Sequence, residues 1–231
     1  SQMFPGYEIN AITNGVHATT WVCPQFQELY DNYIEGWRED NFMLRYSLNI
    51  PDREMWHAHE SAKSELIKYV NSFTNSPFKD DVLTLGFARR FAVYKRADLI
   101  FTDIERLTQI CEQVGELQIV MSGKAHPNDG PGIEKLKYIQ DLMNRYKLKI
   151  RMAFLPDYKM EIAKLLVSGC DVWLNTPMRP REASGTSGMK ATLNGVLNFS
   201  ILDGWWLEGW VENVTGWSIG PLPDQLRTDD D

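Results

Sequence analysis

The chain has 231 residues, 43% hydrophobic and 12% aromatic, with a formal net charge of −7 and three cysteines. That suits one large domain, or one domain with a helical extension, with enough apolar material for a core. The acidic balance argues against a general nucleic-acid surface, so any bound anion must be held by a local cluster of cations. The apolar runs, of which Ile162–Val167 is an example, fall far short of the ~18 residues a membrane span needs. Ser1–Gly6 lacks the basic stretch and apolar core of a secretory signal, so the expectation is a cytoplasmic protein without a membrane segment. Cys23, Cys111 and Cys170 are widely spaced with no C-x-x-C pair, and read as reduced packing residues. The closing Asp229-Asp230-Asp231 reads as a solvated tail rather than a metal site.

In chain order, Gln25–Ile34 and Ser61–Val70 have helical patterns, and Pro51-Asp52 opens a new element between them. The polar, turn-forming stretch Asn71–Pro77 marks a boundary between a helical prelude, residues 1–77, and a second unit, residues 78–231. Beyond it, short apolar runs alternate with helical patterns. The expected strands are Val82–Phe87, Leu117–Met121, Ile150–Phe154, Cys170–Asn175 and Val196–Leu202. Leu99, Ile100, Ile104, Leu107 and Ile110 lay an apolar stripe along one helix. This is the pattern of an α/β fold, a doubly wound parallel sheet preceded by a helical segment, with ligands expected at the C-terminal ends of the strands.

Three segments at those strand ends could carry chemistry. Arg89 and Arg90 follow the first strand, with Tyr94-Lys95-Arg96 expected at the start of the next helix, and the four cations there make a candidate anion site. Ser122-Gly123-Lys124-Ala125-His126-Pro127 follows the second strand on the same edge. The most informative is Pro180–Lys190. Its Gly185 and Gly188 permit close backbone approach, while Ser184, Thr186 and Ser187 offer hydroxyls, so it reads as a phosphate cradle. Lys190 is expected in the first turn or two of a helix, where the dipole and nearby cations would depress its pKa and favour a nucleophilic amine. The alternative is a Gly/Ser-rich helix cap with a surface lysine.

Weaker candidates surround these. Trp205, Trp206, Trp210 and Trp217 could stack on sugars or fill the core. His57 and His59 are two apart and diverge on a helix, which argues against a shared metal. His17 reads as a hydrogen-bonding loop residue.

The third segment closely resembles the cofactor-lysine motif of the α-glucan phosphorylases, E-A-S-G-T-x-x-M-K-x-x-x-N-G, here Glu182-Ala183-Ser184-Gly185-Thr186-Ser187-Gly188-Met189-Lys190 with Asn194-Gly195 in register. The likeness extends through Thr13-Asn14-Gly15 with Trp21, Arg90 with Tyr94-Lys95-Arg96, Gly123-Lys124-Ala125 with Pro127, Phe154-Leu155 with Tyr158, and Leu202-Asp203-Gly204. It implies the C-terminal, Rossmann-like half of a GT-B glycosyltransferase architecture. It also implies pyridoxal 5′-phosphate carried as a Schiff base on Lys190, and retaining phosphorolysis of α-glucan by inorganic phosphate to α-glucose 1-phosphate. Under that resemblance Arg90 and Lys95 would hold the substrate phosphate, and Thr186 with Arg89 the cofactor phosphate. Tyr158 would line the pyridoxal, and Glu182 with Ala183, Ser184 and Gly185 would bind glucosyl hydroxyls. Ser187-Gly188 replaces the usual Gly-Asn and Ala92 a common His, while Trp205-Trp206 resembles the shorter bacterial and archaeal members. The acceptor-side domain would lie upstream of Ser1, so the isolated chain is expected to be inactive; a homo-oligomeric parent is compatible with the resemblance.

Two other readings remain at this stage. A sugar-nucleotide glycosyltransferase of the same architecture, such as a glycogen synthase, uses a similar Arg and Lys pair but characteristically has a second Glu where Lys190 stands. A binding module without catalysis is the other.

Overall fold

Proline and acidic residues start the two longer α-helices of the N-terminal segment. In the computed structural model, which describes residues 6–8, 10, 12–75, 77–146 and 150–222, α1 (Ala18–Trp21) leads into α2 (Pro24–Tyr33) and then α3 (Asp52–Asn71). Pro24 occupies the first turn of α2, where a missing N–H costs nothing, and Asp52 and Glu54 in the first turn of α3 complement its dipole. Residues 1–5 and the acidic Asp229-Asp230-Asp231 end lie outside the described residues.

The strands are β1 (Leu83–Ala88), β2 (Leu117–Ser122), β3 (Arg151–Leu155), β4 (Val172–Asn175), β5 (Leu197–Ile201) and β6 (Gly216–Ile219). All five pairings are parallel and the order is β3-β2-β1-β4-β5-β6. Between and after them run α4 (Ile104–Val114), α5 (Gly130–Tyr146), α6 (Met160–Gly169), α7 (Thr186–Thr192) and α8 (Trp206–Gly209). Side chains alternate between two cores, as the two-residue period of a strand requires. Phe87, Ile119, Met121, Met152 and Leu174 enter the core shared with α4 and α5. Ala88, Val120, Ala153, Leu155 and Trp173 enter the opposite core with α3, α6 and α7. Burial on both faces explains why these strands read as continuous apolar runs.

Helix α3 serves two clusters. Its Ala58 and Ala62 pack with Phe26, Tyr30 and Trp37, while Leu66, Ile67 and Val70 join the sheet core. Gly169 at the end of α6 lets that helix approach closely: a Cβ there would sit 2.5 Å from Leu66 Cβ and 3.0 Å from the Ala62 carbonyl.

Three expectations need correction. Helix α3 starts at Asp52, where Pro51-Asp52 was expected to open an element, and runs without a break into the helical pattern expected only from Ser61, since the polar His59 in its buried stripe hides the apolar period before that point. The stripe from Leu99 to Ile110 is not one helix: Leu99–Phe101 forms a 3-10 turn, and Asp103 caps a fresh start by accepting from the Arg106 amide at 2.9 Å. Strand β6 was not anticipated, being a short edge strand with glycine, serine and a half-exposed Trp217. The three thiols are free, with Cys23 and Cys170 buried. Among the described residues, no helix is long and apolar enough to cross a membrane.

The polar members of the α3 stripe take their partners from the sheet, with His59 Nδ1 left buried and unpaired among the described residues. Asp171, just before β4, accepts from His59 Nε2 at 2.8 Å, Lys63 Nζ at 2.6 Å and the Thr84 amide at 2.7 Å. Burial pushes the Asp171 pKa up, but the His59, Lys63 and Thr84 donors outweigh it and hold the carboxyl below its usual range. A depressed folded pKa gives stability that is present above the unfolded value of about 4 and lost as pH falls through the folded value. Asp171→Asn strands Lys63 without its counter-ion, and is expected to lower unfolding stability near neutral pH by about 3 kcal/mol. Denaturant titrations should show the gap to the unsubstituted chain closing in acid below the ordinary carboxylate range. An equal gap at acidic and neutral pH would contradict this.

Candidate functional site

The strand order reverses between β1 and β4. The chain leaves β1 towards α4 on one face of the sheet and leaves β4 towards α7 on the other, so the two loops diverge and open a crevice at the strands' C-terminal ends. A cavity of about 420 Å³ occupies this point. Arg89, Arg90, Tyr94 and Lys95 come to it from the β1 loop, and Arg181, Glu182, Ala183, Ser184 and Gly185 from the β4 loop. Thr186, Ser187 and Lys190 come from α7, Tyr158 from the loop after β3, and Asn14 from the N-terminal segment. All ten site residues named from the sequence therefore line one cavity.

Its electrostatics are the inverse of the chain's. The charged lining residues are the cations Arg89, Arg90, Lys95, Arg181 and Lys190 against the single carboxylate of Glu182, in a chain of net charge −7. That carboxylate is buried and shared: Lys95 Nζ donates to Glu182 Oε2 at 2.6 Å, and Arg89 Nη2 donates to the same oxygen. Burial alone would raise the Glu182 pKa, but Arg89 and Lys95 overcome it and hold the carboxyl below its usual range. Two further contacts fix the geometry. Arg89 Nη1 donates to Asn175 Oδ1, and the Glu182 amide donates to Asp203 Oδ2 at 2.9 Å. Arg90 is exposed and has no polar partner among the described residues, which leaves its guanidinium available.

Lys190 differs from the sequence reading in its cause, though not in its direction. It stands in the last turn of the seven-residue α7, where the helix dipole favours an ammonium rather than opposing it. Burial is what lowers its pKa. Its Nζ lies 3.7 Å from the centre of the Trp21 ring. Tyr158 has its pKa raised by burial, partly offset by Arg89. Gly185 begins the turn into α7 at φ 78°, a left-handed conformation that a side chain would strain.

Two polar atoms at the cavity are buried without partners, Arg89 Nε and Ser184 Oγ. Unmet donors cost free energy unless a ligand completes them. Together with the excess of cations and an amine biased towards its neutral form, they fit a phosphorylated carbonyl compound such as pyridoxal 5′-phosphate.

Other sequence candidates fall elsewhere. Tyr94-Lys95-Arg96 is not at a helix start; Val93–Lys95 is a 3-10 turn ending in a left-handed Arg96, and α4 begins only at Ile104. The Arg96 guanidinium is spent on backbone carbonyls outside the cavity, so the first cluster brings three cations to the cavity rather than four. Lys124 is exposed and does not line the cavity. His59 belongs to the Asp171 network, and His17 Nδ1 pairs with Thr20 Oγ1 at 2.7 Å. Among the indoles, Trp206 is core, whereas Trp217 is 36% exposed on the edge strand. Asn14, Asn175 and Asp203 were missed as site components; Asn175 and Asp203 close strand ends, which was the available signal. A larger cavity of about 730 Å³ lies at the opposite strand ends, where its lining lysine, Lys63, is already committed to Asp171, so it is not an anion site.

Glu182→Gln is expected to destabilise the chain by about 3 kcal/mol through two unpaired buried cations, and to tighten binding of inorganic phosphate in the space between them. Thermal unfolding with and without phosphate reads both effects: phosphate should raise the Tm of the variant more than that of the unsubstituted chain. Equal Tm shifts would count against the cavity as an anion site.

A family model described as carbohydrate phosphorylase matches residues 1–214. The maltodextrin phosphorylase of Thermococcus litoralis is 42% identical over 240 residues, covering 96% of this chain and 29% of that protein. The glycogen phosphorylase of Aquifex aeolicus is 42% identical over 241 residues, covering 92% and 34% respectively. That of Mycobacterium tuberculosis is 38% identical over 245 residues, covering 96% and 28%. The chain thus spans about a third of the length of these relatives.

Proposed function

Since the chain belongs to the carbohydrate phosphorylase family, we propose that it is the phosphate- and cofactor-binding half of an enzyme that cleaves α-1,4-glucan with inorganic phosphate, releasing α-glucose 1-phosphate with retention of configuration. One observation carries the reading: Lys190, with an ammonium disfavoured by burial, lines the same cavity as Arg89, Arg90 and Lys95. A lowered pKa leaves more of the amine neutral at a given pH, which is the form that attacks a carbonyl carbon.

In this reading Lys190 holds pyridoxal 5′-phosphate covalently. When bound, that group would supply a phosphate able to pass a proton to inorganic phosphate. Arg89 and the Thr186 hydroxyl hold its phosphate, and Tyr158 lines its ring. Arg90 and Lys95 bind the incoming inorganic phosphate and offset its charge, Lys95 being already held in place by Glu182. Glu182 and the Ala183–Gly185 segment accept and donate to glucosyl hydroxyls, placing the sugar against the phosphate. On ligand binding, Glu182 would trade part of its pairing with Arg89 and Lys95 for those hydroxyls. Arg89, Arg90 and Lys95 thereby become available together.

The sugar-nucleotide reading loses its main support at Lys190, a lysine in the cavity where a second carboxylate would be expected. The domain completing the cleft would come from the rest of the parent polypeptide, in the cytoplasm. Half a cleft neither orients a glucan nor excludes water, so the isolated chain is expected to be inactive.

Phosphorolysis of maltodextrin by the complete gene product, assayed with and without pyridoxal phosphate, tests the proposal. Glucose 1-phosphate release should require the cofactor, disappear in Lys190→Ala and be absent for residues 1–231 alone. Glucosyl transfer from a sugar nucleotide without pyridoxal phosphate would overturn it.

A further inference from the structure

Lys95 is the best-buried cation of the cavity, and within its own short 3-10 turn its ammonium meets only the Tyr94 ring, 4.5 Å from the ring centre. A further restraint comes from the next residue. Arg96 adopts φ 44°, ψ 49°, a left-handed conformation uncommon for a residue with a side chain. From there its guanidinium crosses to the β4 loop: Nε donates to the Thr176 carbonyl at 3.1 Å and Nη2 to the Pro177 carbonyl at 2.9 Å. The β4 loop answers. Thr176 Oγ1 lies 3.0 Å from both the Lys95 and the Arg96 carbonyls, and the Met178 amide donates to the Tyr94 carbonyl at 2.7 Å. The same two loops are joined a second time inside the cavity, by Lys95 and Arg89 on Glu182.

We propose that Arg96 is a positioning residue for anion binding: it staples the β1 loop to the β4 loop from outside the cavity, so that Lys95 and Glu182 stand in fixed register when ligand is absent and Lys95 stays in place when ligand draws Glu182 away. The inside pairing is the one a ligand disturbs, since Glu182 is the carboxylate that any bound phosphate must compete with. The outside staple uses only backbone carbonyls, which no ligand competes for. Without it, releasing Glu182 would leave the two loops joined only through the Thr176 hydroxyl and the Met178 amide, and the ammonium would lose part of its alignment at the step that needs it.

The chemistry selects arginine. Two successive carbonyls, one on each of two residues, are met by two N–H groups of a rigid planar fork; a lysine ammonium at the end of a flexible stem carries the charge but not the fork. Keeping Arg96 left-handed costs free energy that the cross-loop bonds must offset. Arg96→Gly therefore removes the staple while relieving the backbone, and Arg96→Lys removes the fork while keeping the charge and the strain.

The functional half of this inference rests on the reading of Lys95 as a phosphate ligand, and the experiment separates the two. Competitive labelling of lysines with acetic anhydride, mapped by mass spectrometry on the 231-residue chain well below its Tm, reports the accessibility of Lys95 against exposed Lys124 as reference. Arg96→Lys and Arg96→Gly should each speed labelling of Lys95 by about fivefold, the order expected for losing the net worth of one hydrogen bond. The phosphate concentration that protects Lys95 should rise by about tenfold, as expected for a misplaced binding group. Thr176→Val should shift both quantities in the same direction by less. A purely structural Arg96 would lower Tm and leave the ratio of Lys95 to Lys124 labelling unchanged in all three variants, and that result overturns the proposal. Failure of phosphate to protect Lys95 in the unsubstituted chain would instead sink the phosphate reading, and with it the claim that Arg96 serves anion binding, even if labelling still responds to Arg96.

Discussion

The site depends on one constraint, the parallel pairing of β1 with β4 at the centre of the sheet. Two neighbouring strands whose chains depart to opposite faces cannot have loops that cover each other, so a gap opens above them. Backbone ends and short polar side chains collect in that gap because no apolar layer reaches it. Placing five cations there would be costly in an uncompensated fold. Glu182 makes it tolerable by pairing with two of them at once, at a point where its own amide is held by Asp203.

This arrangement links stability to binding. A carboxylate that holds two buried cations apart from solvent is a fold-stabilising group while the cavity is empty of anions, and a competitor once an anion arrives. The remaining polar atoms, Arg89 Nε and Ser184 Oγ, have no such internal substitute. Their unmet bonding capacity is a cost of keeping the site open. At the other end of the sheet His59, Lys63 and Thr84 all bond the Asp171 carboxylate, and there too one buried atom, His59 Nδ1, is left without a partner among the described residues.

Much of this was legible in the sequence, for physical reasons that also mark where legibility ended. Five strands showed themselves because burial on both faces demands apolar runs; β6 did not, since an edge strand with Gly216, Trp217 and Ser218 carries no such demand. The first half of α3 was hidden because His59 occupies a core position whose partner lies more than a hundred residues away. A local pattern cannot show that Asp171 will be there. The ten cavity residues were found through their order and motif spacing, whereas Asn14 and Asn175 join the site through tertiary contact. Arg96 was misread for the same reason: adjacent basic residues look alike in sequence, and only the left-handed turn after Lys95 sends one ammonium inward and the neighbouring guanidinium across to the next loop.

The central claim is that Lys190 is the point of cofactor attachment within a cation-lined phosphate site. Borohydride reduction of the full-length parent enzyme as isolated, followed by proteolysis and peptide mapping, addresses it most directly. The account predicts a pyridoxyl adduct on the peptide containing Met189-Lys190, and its loss in Lys190→Ala. An adduct confined to another lysine, or no pyridoxyl peptide from a catalytically active preparation, would contradict it.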